Sequence, residues 1–224
     1  MEIKIEQGSI ESSAADTLIV NLFEGVTNPG GATGAVDHAL GGAISDLIAG
    51  GDLKGKAGEV AVLYPRGAVG ARRVLVVGLG QAESLTLEGV RRASAAAIKR
   101  ARDLNAGHVA TIVHGAGIGG LDAAAAAQAT VEGALLATYR FAAQKKQEAI
   151  NDIATLTIVE RDAGRLEAIR QGAALGEAVA GGVAVARDLV NMPPNVATPT
   201  RLAERARQIA TERGLAVTVG DRAW

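Results

Sequence analysis

The amino-acid sequence predicts an α/β protein whose sheet is mixed or parallel. Short apolar segments of strand length alternate with longer segments whose apolar residues recur at helical spacing. Hydrophobic residues make up 48% of the 224 residues but aromatic residues only 2%, so Ala, Val, Leu and Ile must fill the core. Such a core is stabilised by many small burials rather than by a few large ones.

Six segments before residue 160 are predicted to be strands. Met1–Gln7 alternates apolar and polar residues, as a half-buried strand does. Asp16–Phe23 is almost continuously apolar, which is typical of a central strand covered on both faces. The other four are short apolar runs bounded by turn residues, namely Glu59–Tyr64, Arg73–Val77, His108–His114 and Ile153–Val159.

Helices are predicted between these strands at Ala35–Ile48, Leu85–Leu104 and Leu121–Phe141, and a longer one at Arg161–Val190. The last has an apolar stripe at helical spacing, made of Leu175, Val179, Val183, Ala186 and Val190. It also contains four glycines, Gly172, Gly176, Gly181 and Gly182, each of which costs about 1 kcal/mol relative to alanine. These glycines indicate either close packing against another backbone or a break near Gly181-Gly182.

The long helix must end before Met192-Pro193-Pro194, because proline restricts the residue ahead of it and cannot continue the helical hydrogen bonds. Thr198 is then predicted to cap a helix that Gly214 ends, and Leu215–Val219 to form a strand. One helix and one strand cannot bury their apolar faces alone. We therefore predict a domain at 1–160, a connecting helix at 161–192, and the truncated beginning of a further domain at 193–224.

Charge and composition exclude several classes of protein. The chain has 23 basic and 24 acidic residues, so no long-range field attracts nucleic acid or an anionic membrane. The absence of cysteine excludes disulfides, thiolate zinc sites and thiol nucleophiles. Neither a signal-peptide pattern nor an apolar run of membrane-spanning length is present, which predicts a cytoplasmic protein without a membrane partner.

A glycine-rich segment and the three histidines are candidates for a binding site. Gly115–Gly120 matches G-x-G-x-x-G after a strand, but the acidic residue of a dinucleotide fingerprint, expected about 20 residues on, is missing, and Glu160 lies too far away. We therefore favour the interpretation of this segment as a tight strand-to-helix turn over a dinucleotide site. His108 and His114 would lie about 20 Å apart on one strand and cannot share a metal with each other. We expect these histidines, like His38, to be surface or half-buried residues.

The sequence Ala-Arg-Asp-Leu-Val-Asn-Met-Pro-Pro-Asn at 186–195, followed by Thr198-Pro199, resembles the domain junction of leucyl aminopeptidases, the cytosol aminopeptidase family. Four further segments resemble the same family in the same order. These are Leu40–Ile44, Gly51–Gly58, Arg73–Gly80 and Glu132–Phe141.

The resemblance implies a macro-domain-like α/β fold that helps to organise a hexamer and limits access to the active sites. It also implies that two divalent metal ions, manganese or zinc, are held by the second domain of the parent enzyme, which removes N-terminal residues from peptides. The family's metal-binding signature, Asn-Thr-Asp-Ala-Glu-Gly-Arg, does not occur in this chain. We therefore assign no catalytic, cofactor or metal residue here and predict that the chain alone is inactive.

The glycine-rich segment Asn28–Gly34 is also similar to the loop that contacts ADP-ribose in macro domains. A loop rich in free backbone amides can hold a phosphate ahead of a helix. The alternative function is therefore a module that binds ADP-ribose or another nucleotide. The other interpretation of this segment is a conformationally demanding loop without a ligand. Some members of the aminopeptidase family bind DNA, but the balanced charge makes nucleic acid an unlikely partner for this chain.

Overall fold

The computed structural model describes residues 1–117, 119–141 and 152–220. Within them lies one six-stranded sheet of order β1-β6-β5-β2-β4-β3. All neighbours are parallel except β3, which runs antiparallel to β4 at one edge, so the predicted α/β class with a mixed sheet is confirmed. The strands are β1 Glu2–Gln7, β2 Thr17–Phe23, β3 Val60–Leu63, β4 Arg73–Gly80, β5 His108–Thr111 and β6 Thr155–Glu160.

Six α-helices accompany these strands in the described residues, and none of them is long and apolar enough to cross a membrane. They are α1 Gly31–Ala39, α2 Ala43–Ala49, α3 Leu87–Asp103, α4 Ala123–Thr138, α5 Leu166–Asn191 and α6 Pro199–Arg213. The chain divides into two compact units, and the boundary within α5 falls between Gly181 and Gly182. The domain limits predicted from the sequence remain predictions.

Both faces of the sheet are covered by helices. On one face, α3 packs through residues such as Ala97 and Ile98 against Ile19 and Leu75. The same face carries α4 and α5, where Val131 and Ile169 meet Ile158. On the other face, α1 and α2 bury Val36 and Ile44 against the alternate residues of β2 and β4. The strands at the centre are therefore apolar on both sides, as the continuous run in β2 predicts.

A single carboxylate ties together the amino ends of the two central strands. Asp16 precedes β2 and accepts hydrogen bonds from the amides of Gly107 and His108 at 2.8 and 2.9 Å, just where β5 begins. Burial acts to raise the pKa of Asp16, but these two amides, the Thr17 hydroxyl and the charge of Arg73 lower it further than burial raises it. The side chain thus stays ionised and fixes the register of β2 against β5.

The predicted helix at Ala35–Ile48 is wrong in one respect, since it forms two helices. Gly41 and Gly42 adopt left-handed backbone angles, with φ of 67° and 92°, which glycine tolerates and which end α1. The buried Asp37 accepts hydrogen bonds from the amides of Ile44 and Ser45 and so caps the start of α2. The interruption leaves the amides at the start of α2 without helical carbonyl partners, and the Asp37 carboxylate supplies acceptors for two of them.

Close contact between helix backbones explains two of the four glycines of α5. A Cβ atom on Gly172 would lie 2.0 Å from the carbonyl oxygen of Ala124 in α4, and one on Gly176 would lie 2.8 Å from that of Gln128. Gly181 and Gly182 have no atom within 4 Å of such a Cβ. The helix continues without a break to Asn191, so close packing is confirmed for the first pair and no break occurs at the second.

An ion pair between the half-buried Arg91 and the buried Glu132 joins α3 to α4. Glu132 is 3% exposed and accepts from Arg91 Nε and, at 2.6 Å, from Gln128 Nε2. Gly133, the next residue, could not carry a side chain, because its Cβ would lie 2.3 Å from the Arg91 carbonyl oxygen. Both carboxylate oxygens of Glu132 therefore have a hydrogen-bond donor, beside a close approach of the α3 and α4 backbones.

At the end of the described chain, the predicted helix is present but the predicted strand is not. Thr198 accepts a hydrogen bond from the Arg201 amide, Pro199 occupies the first turn of α6, and Gly214 ends the helix with φ of 65°. The predicted strand at Leu215–Val219 is wrong, since these residues are exposed and irregular. A strand needs a neighbouring strand for its backbone hydrogen bonds, and none lies beside this segment among the described residues.

We expect Gly172→Ala to lower the free energy of unfolding by about 1–3 kcal/mol or more, because the new methyl group would force α4 and α5 apart. Gly181→Ala is the matched control in the same helix and should raise the stability by up to about 1 kcal/mol, since open space surrounds it. Urea denaturation followed by circular dichroism measures both changes. Equal effects of the two substitutions would contradict the packing explanation.

Candidate functional site

The two glycine-rich segments noted in the sequence meet at one crevice. It lies at the carboxyl ends of β2 and β5, which are neighbours in the sheet. The chain leaves β2 towards α1 on one face and leaves β5 towards α4 on the other, so the crevice opens at the topological switch point of the sheet. Open α/β sheets bind their ligands at this position.

The crevice has two lobes. The inner lobe has a cavity volume of about 140 Å³ and is lined by Asn21, Phe23 and Val26 together with backbone of both glycine segments. The outer lobe, about 300 Å³, extends past Gly31 and Gly117 to the ends of β1 and β6. Pockets for drug-sized ligands enclose roughly 300–1,000 Å³, so the inner lobe alone suits only a small group.

The first wall is the loop that ends in α1. Gly31 has φ of 56° and opens the helix, and no side chain caps the helix start. Gly34 lies so near the loop that a Cβ would come within 2.5 Å of the Pro29 carbonyl oxygen. The Thr33 hydroxyl donates to the carbonyl oxygen of Asn21 at 2.7 Å and ties the helix to β2. The start of α1, which no side chain caps, therefore lines the crevice in a fixed position.

The second wall is the turn after β5. Gly115 and Gly120 have φ of 81° and 65°, and the Leu121 amide donates to the Gly115 carbonyl oxygen at 3.2 Å. A Cβ on Gly115 would lie 2.7 Å from Leu85 Cδ2, so the turn packs tightly on the loop ahead of α3. This is the geometry of a tight strand-to-helix turn; Ile118, within this predicted segment, lies outside the described residues.

A buried histidine supports the floor of the crevice. His114 is 1% exposed, so the expectation of a surface or half-buried residue is wrong for it. The strand β5 ends at Thr111, and His114 lies in the turn that follows. Asn21 Nδ2 lies 3.1 Å from His114 Nδ1. Since an amide nitrogen only donates, Nδ1 accepts, and the ring proton is on Nε2, 3.3 Å from Thr111 Oγ1. Burial lowers the pKa of His114 to about 4.

The Asn21–His114 pair is the part of the site that the sequence does not reveal. The two residues are 93 positions apart, and only the pairing of β2 with β5 brings them together. His38 and His108 are exposed and lie elsewhere. Among the described residues, no three histidine, aspartate or glutamate side chains are grouped so that they could hold a metal ion.

The charges around the outer lobe are paired. Arg165 donates to the Ala116 carbonyl oxygen at 2.5 Å and lies 3.8 Å from Glu160. Arg161 donates to Ser9 Oγ at 2.9 Å and lies 3.4 Å from Glu11. Glu160, too distant in sequence for the dinucleotide fingerprint, nevertheless lines the same lobe as the glycine turn. Its carboxylate contacts Arg165 and accepts a hydrogen bond from the Asp162 amide. Two cations and two carboxylates give the lobe no strong preference for an anion.

Comparison with solved structures identifies the fold. The chain superimposes on tomato leucine aminopeptidase with a TM-score of 0.77 and 24% identity, covering 95% of this chain and 42% of that one. It superimposes on an ADPR-bound macrodomain mutant from Oceanobacillus iheyensis with a TM-score of 0.58 and 18% identity, over 75% of this chain and 89% of that one. The fold is therefore that of a macro-domain-like α/β protein.

Comparison of sequences identifies the family. Residues 19–148 match the model of the cytosol aminopeptidase family, N-terminal domain. A probable cytosol aminopeptidase of Roseiflexus castenholzii is 39% identical over 98% of this chain, and the bottromycin maturation enzyme BotP, solved with Mn, is 28% identical over 89% with a TM-score of 0.66. The chain belongs to the cytosol aminopeptidase family. It spans 42% of the length of the Roseiflexus relative and 37% of BotP.

The buried His114 should make the stability depend on pH. The folded state holds a pKa of about 4, whereas an unfolded histidine titrates near 6.5. Below pH 6.5 the histidine is protonated in the unfolded chain but stays neutral in the folded chain. The free energy of unfolding should therefore fall by up to about 3 kcal/mol between pH 6.5 and 4. Above pH 6.5 this contribution does not change with pH.

Urea denaturation from pH 4 to 8 tests this dependence through the variant His114→Gln. We expect the variant to be less stable at pH 8, since it loses packing, but to show a smaller decline on acidification. His108→Gln, at an exposed position in the same strand region, is the matched control and should retain the decline. An unchanged slope in the His114 variant would show that another group causes the acid sensitivity.

Proposed function

We propose that this chain is the non-catalytic N-terminal region of a cytoplasmic leucyl aminopeptidase, a hydrolase that removes N-terminal residues from peptides. The observation that carries the proposal is the family match, which falls on the N-terminal domain, combined with relatives that are more than twice as long. The two metal ions, manganese or zinc, would be held by the remainder of that enzyme. The Mn in the structure of the related BotP supports this metal type.

An uncovered apolar surface supports a role in contact with further protein. Beyond Gly181, the described residues include one buried residue, Ala210. Large apolar side chains there are exposed, among them Val190 at 84% and Leu215 at 61%. Monomeric proteins seldom leave such surface open to water. We propose that the catalytic region of the aminopeptidase covers it, and that the N-terminal unit takes part in assembly of a hexamer and in limiting access to its active sites.

We expect the chain alone to show no hydrolysis of leucine-p-nitroanilide in the presence of Mn²⁺, because its described residues contain no group of metal ligands. Tomato leucine aminopeptidase under the same conditions is the positive control. Release of p-nitroaniline is followed by absorbance. Hydrolysis that co-purifies with the chain and stops on addition of a chelator would contradict the proposal.

A second function, binding of ADP-ribose or another nucleotide, is favoured by one observation: both glycine-rich walls line the same crevice. The related fold of an ADPR-bound macrodomain supports it as well. The small inner lobe and the paired arginines of the outer lobe count against it. We therefore rank nucleotide binding below the aminopeptidase role.

Isothermal titration with ADP-ribose distinguishes the two functions. We expect no heat of binding at micromolar ligand, because a pyrophosphate would find no unpaired cation in the outer lobe. The Oceanobacillus iheyensis macrodomain serves as the positive control. Saturable binding that Gly117→Val abolishes, at a glycine whose Cβ would meet open space, would instead establish the crevice as a nucleotide site.

A further inference from the structure

The outer lobe of the crevice contains a carboxylate oxygen without a hydrogen bond. Glu11 lines this lobe, and its Oε2 atom is shielded from solvent but has no donor within the described residues. Such an oxygen is unfavourable, because it has lost water without gaining a partner. The torsion that orients a glutamate carboxylate is soft, so a small rotation can turn this oxygen towards the lobe. The carboxylate therefore has an acceptor for a donor that enters there.

A guanidinium group with unused donors lies beside this carboxylate. Arg161 contacts Ser9 Oγ at 2.9 Å and Glu11 Oε1 at 3.4 Å, in both cases through Nη2. A guanidinium has five N–H donors, and those on Nε and Nη1 make no hydrogen bond with any residue that the structure describes. The side chain is 71% exposed, so a ligand carboxylate can reach it.

The remaining lining of the outer lobe is largely apolar. Ile112, Val113 and Val159 line it together with backbone of Gly31 and Gly117. The cavity volume of about 300 Å³ is at the lower limit for small-ligand pockets. Each arginine of the lobe is paired with a carboxylate, so the lobe as a whole favours a ligand without net charge. A small zwitterion with an apolar side chain meets all of these conditions.

We propose that the outer lobe binds a free α-amino acid with an aliphatic side chain. The ammonium group donates to Glu11, the carboxylate accepts from Arg161, and the side chain packs on the apolar lining. Each charge of the ligand then meets the opposite charge, and the lone acceptor on Glu11 gains a donor. The choice of an amino acid rests on the proposed function, because an enzyme that removes N-terminal residues from peptides releases free amino acids.

The exposure of the arginine limits the strength of binding. Water screens the contact between Arg161 and the ligand carboxylate, so this ion pair adds little affinity. We expect a dissociation constant on the order of 1 mM for L-leucine. Glycine should bind about tenfold more weakly, because it has no aliphatic carbons to bury against the lobe.

Titration of the chain with L-leucine, followed by two-dimensional amide NMR, tests the proposal. Saturable shifts should be centred on amides around the lobe, such as those of Ser9, Gly31 and Gly117. L-Leucinamide lacks the carboxylate and N-acetyl-L-leucine lacks the ammonium group, so each should bind about tenfold more weakly or less. The absence of saturable shifts up to about 50 mM leucine would overturn the inference. Equal binding of leucine and both analogues would also overturn it.

Substitutions of the two charged residues test their roles. Glu11→Gln and Arg161→Gln should each raise the dissociation constant of leucine about tenfold or more, and circular dichroism checks that each variant is folded. Glu6→Gln is the matched control, since Glu6 is exposed in β1 and does not line the lobe. Undiminished binding in both variants, or an equal loss in the control, would overturn the inference.

The peptidase assay is independent of this titration. A chain that neither binds leucine nor hydrolyses leucine-p-nitroanilide contradicts only the amino-acid site. A chain that hydrolyses the substrate contradicts only the proposed non-catalytic function.

Discussion

The structure depends on how closely three helix backbones approach one another on one face of the sheet. With few aromatic side chains available, the core is filled by bringing α3, α4 and α5 together over alanine and glycine. Gly133 admits the Arg91 carbonyl of α3, and Gly172 admits the Ala124 carbonyl of α4. Many atoms then lie at contact distance although each side chain is small. This packing fixes α5 in rotation and decides which of its residues face water.

The crevice follows from the sheet rather than from the helix packing. Asp16 fixes the amino ends of β2 and β5, so their carboxyl ends are held side by side, and the connections that leave them diverge to opposite faces. Divergence opens a gap, and glycines let the backbone line it. Asn21, which contacts the buried His114, lines the inner part of this gap, and Arg165 lines the outer part and donates to the Ala116 carbonyl oxygen. A macro-domain-like fold thus retains the position of a ligand site, while function depends on which groups remain free there.

The sequence predicted the elements with long, regular patterns and missed features that depend on distant partners. The continuous apolar run of β2 and the helices α3 and α5 were predicted to within a few residues, because burial imposes their periodicity locally. The two-helix form of α1 and α2 required Asp37 to cap amides seven and eight positions away, which no periodicity reveals. Leu215–Val219 has the residues of a strand but no neighbouring strand in the described chain, so its local preference had no effect. His114 was placed on a strand that ends three residues earlier, and its burial depends on Asn21.

The glycines of α5 show that one residue type has different physical roles along one helix. Gly172 and Gly176 are required by α4, whereas Gly181 and Gly182 have nothing within contact distance of a Cβ among the described atoms. A glycine inside a helix lowers its stability relative to alanine. No packing contact within the first compact unit compensates for this loss at Gly181 or Gly182. Exposed Leu175 and Val179 lie on the same stretch of helix and are equally uncovered. The buried side of α5 completes the α/β unit, whereas its outer side exposes two large apolar side chains and two glycines to solvent.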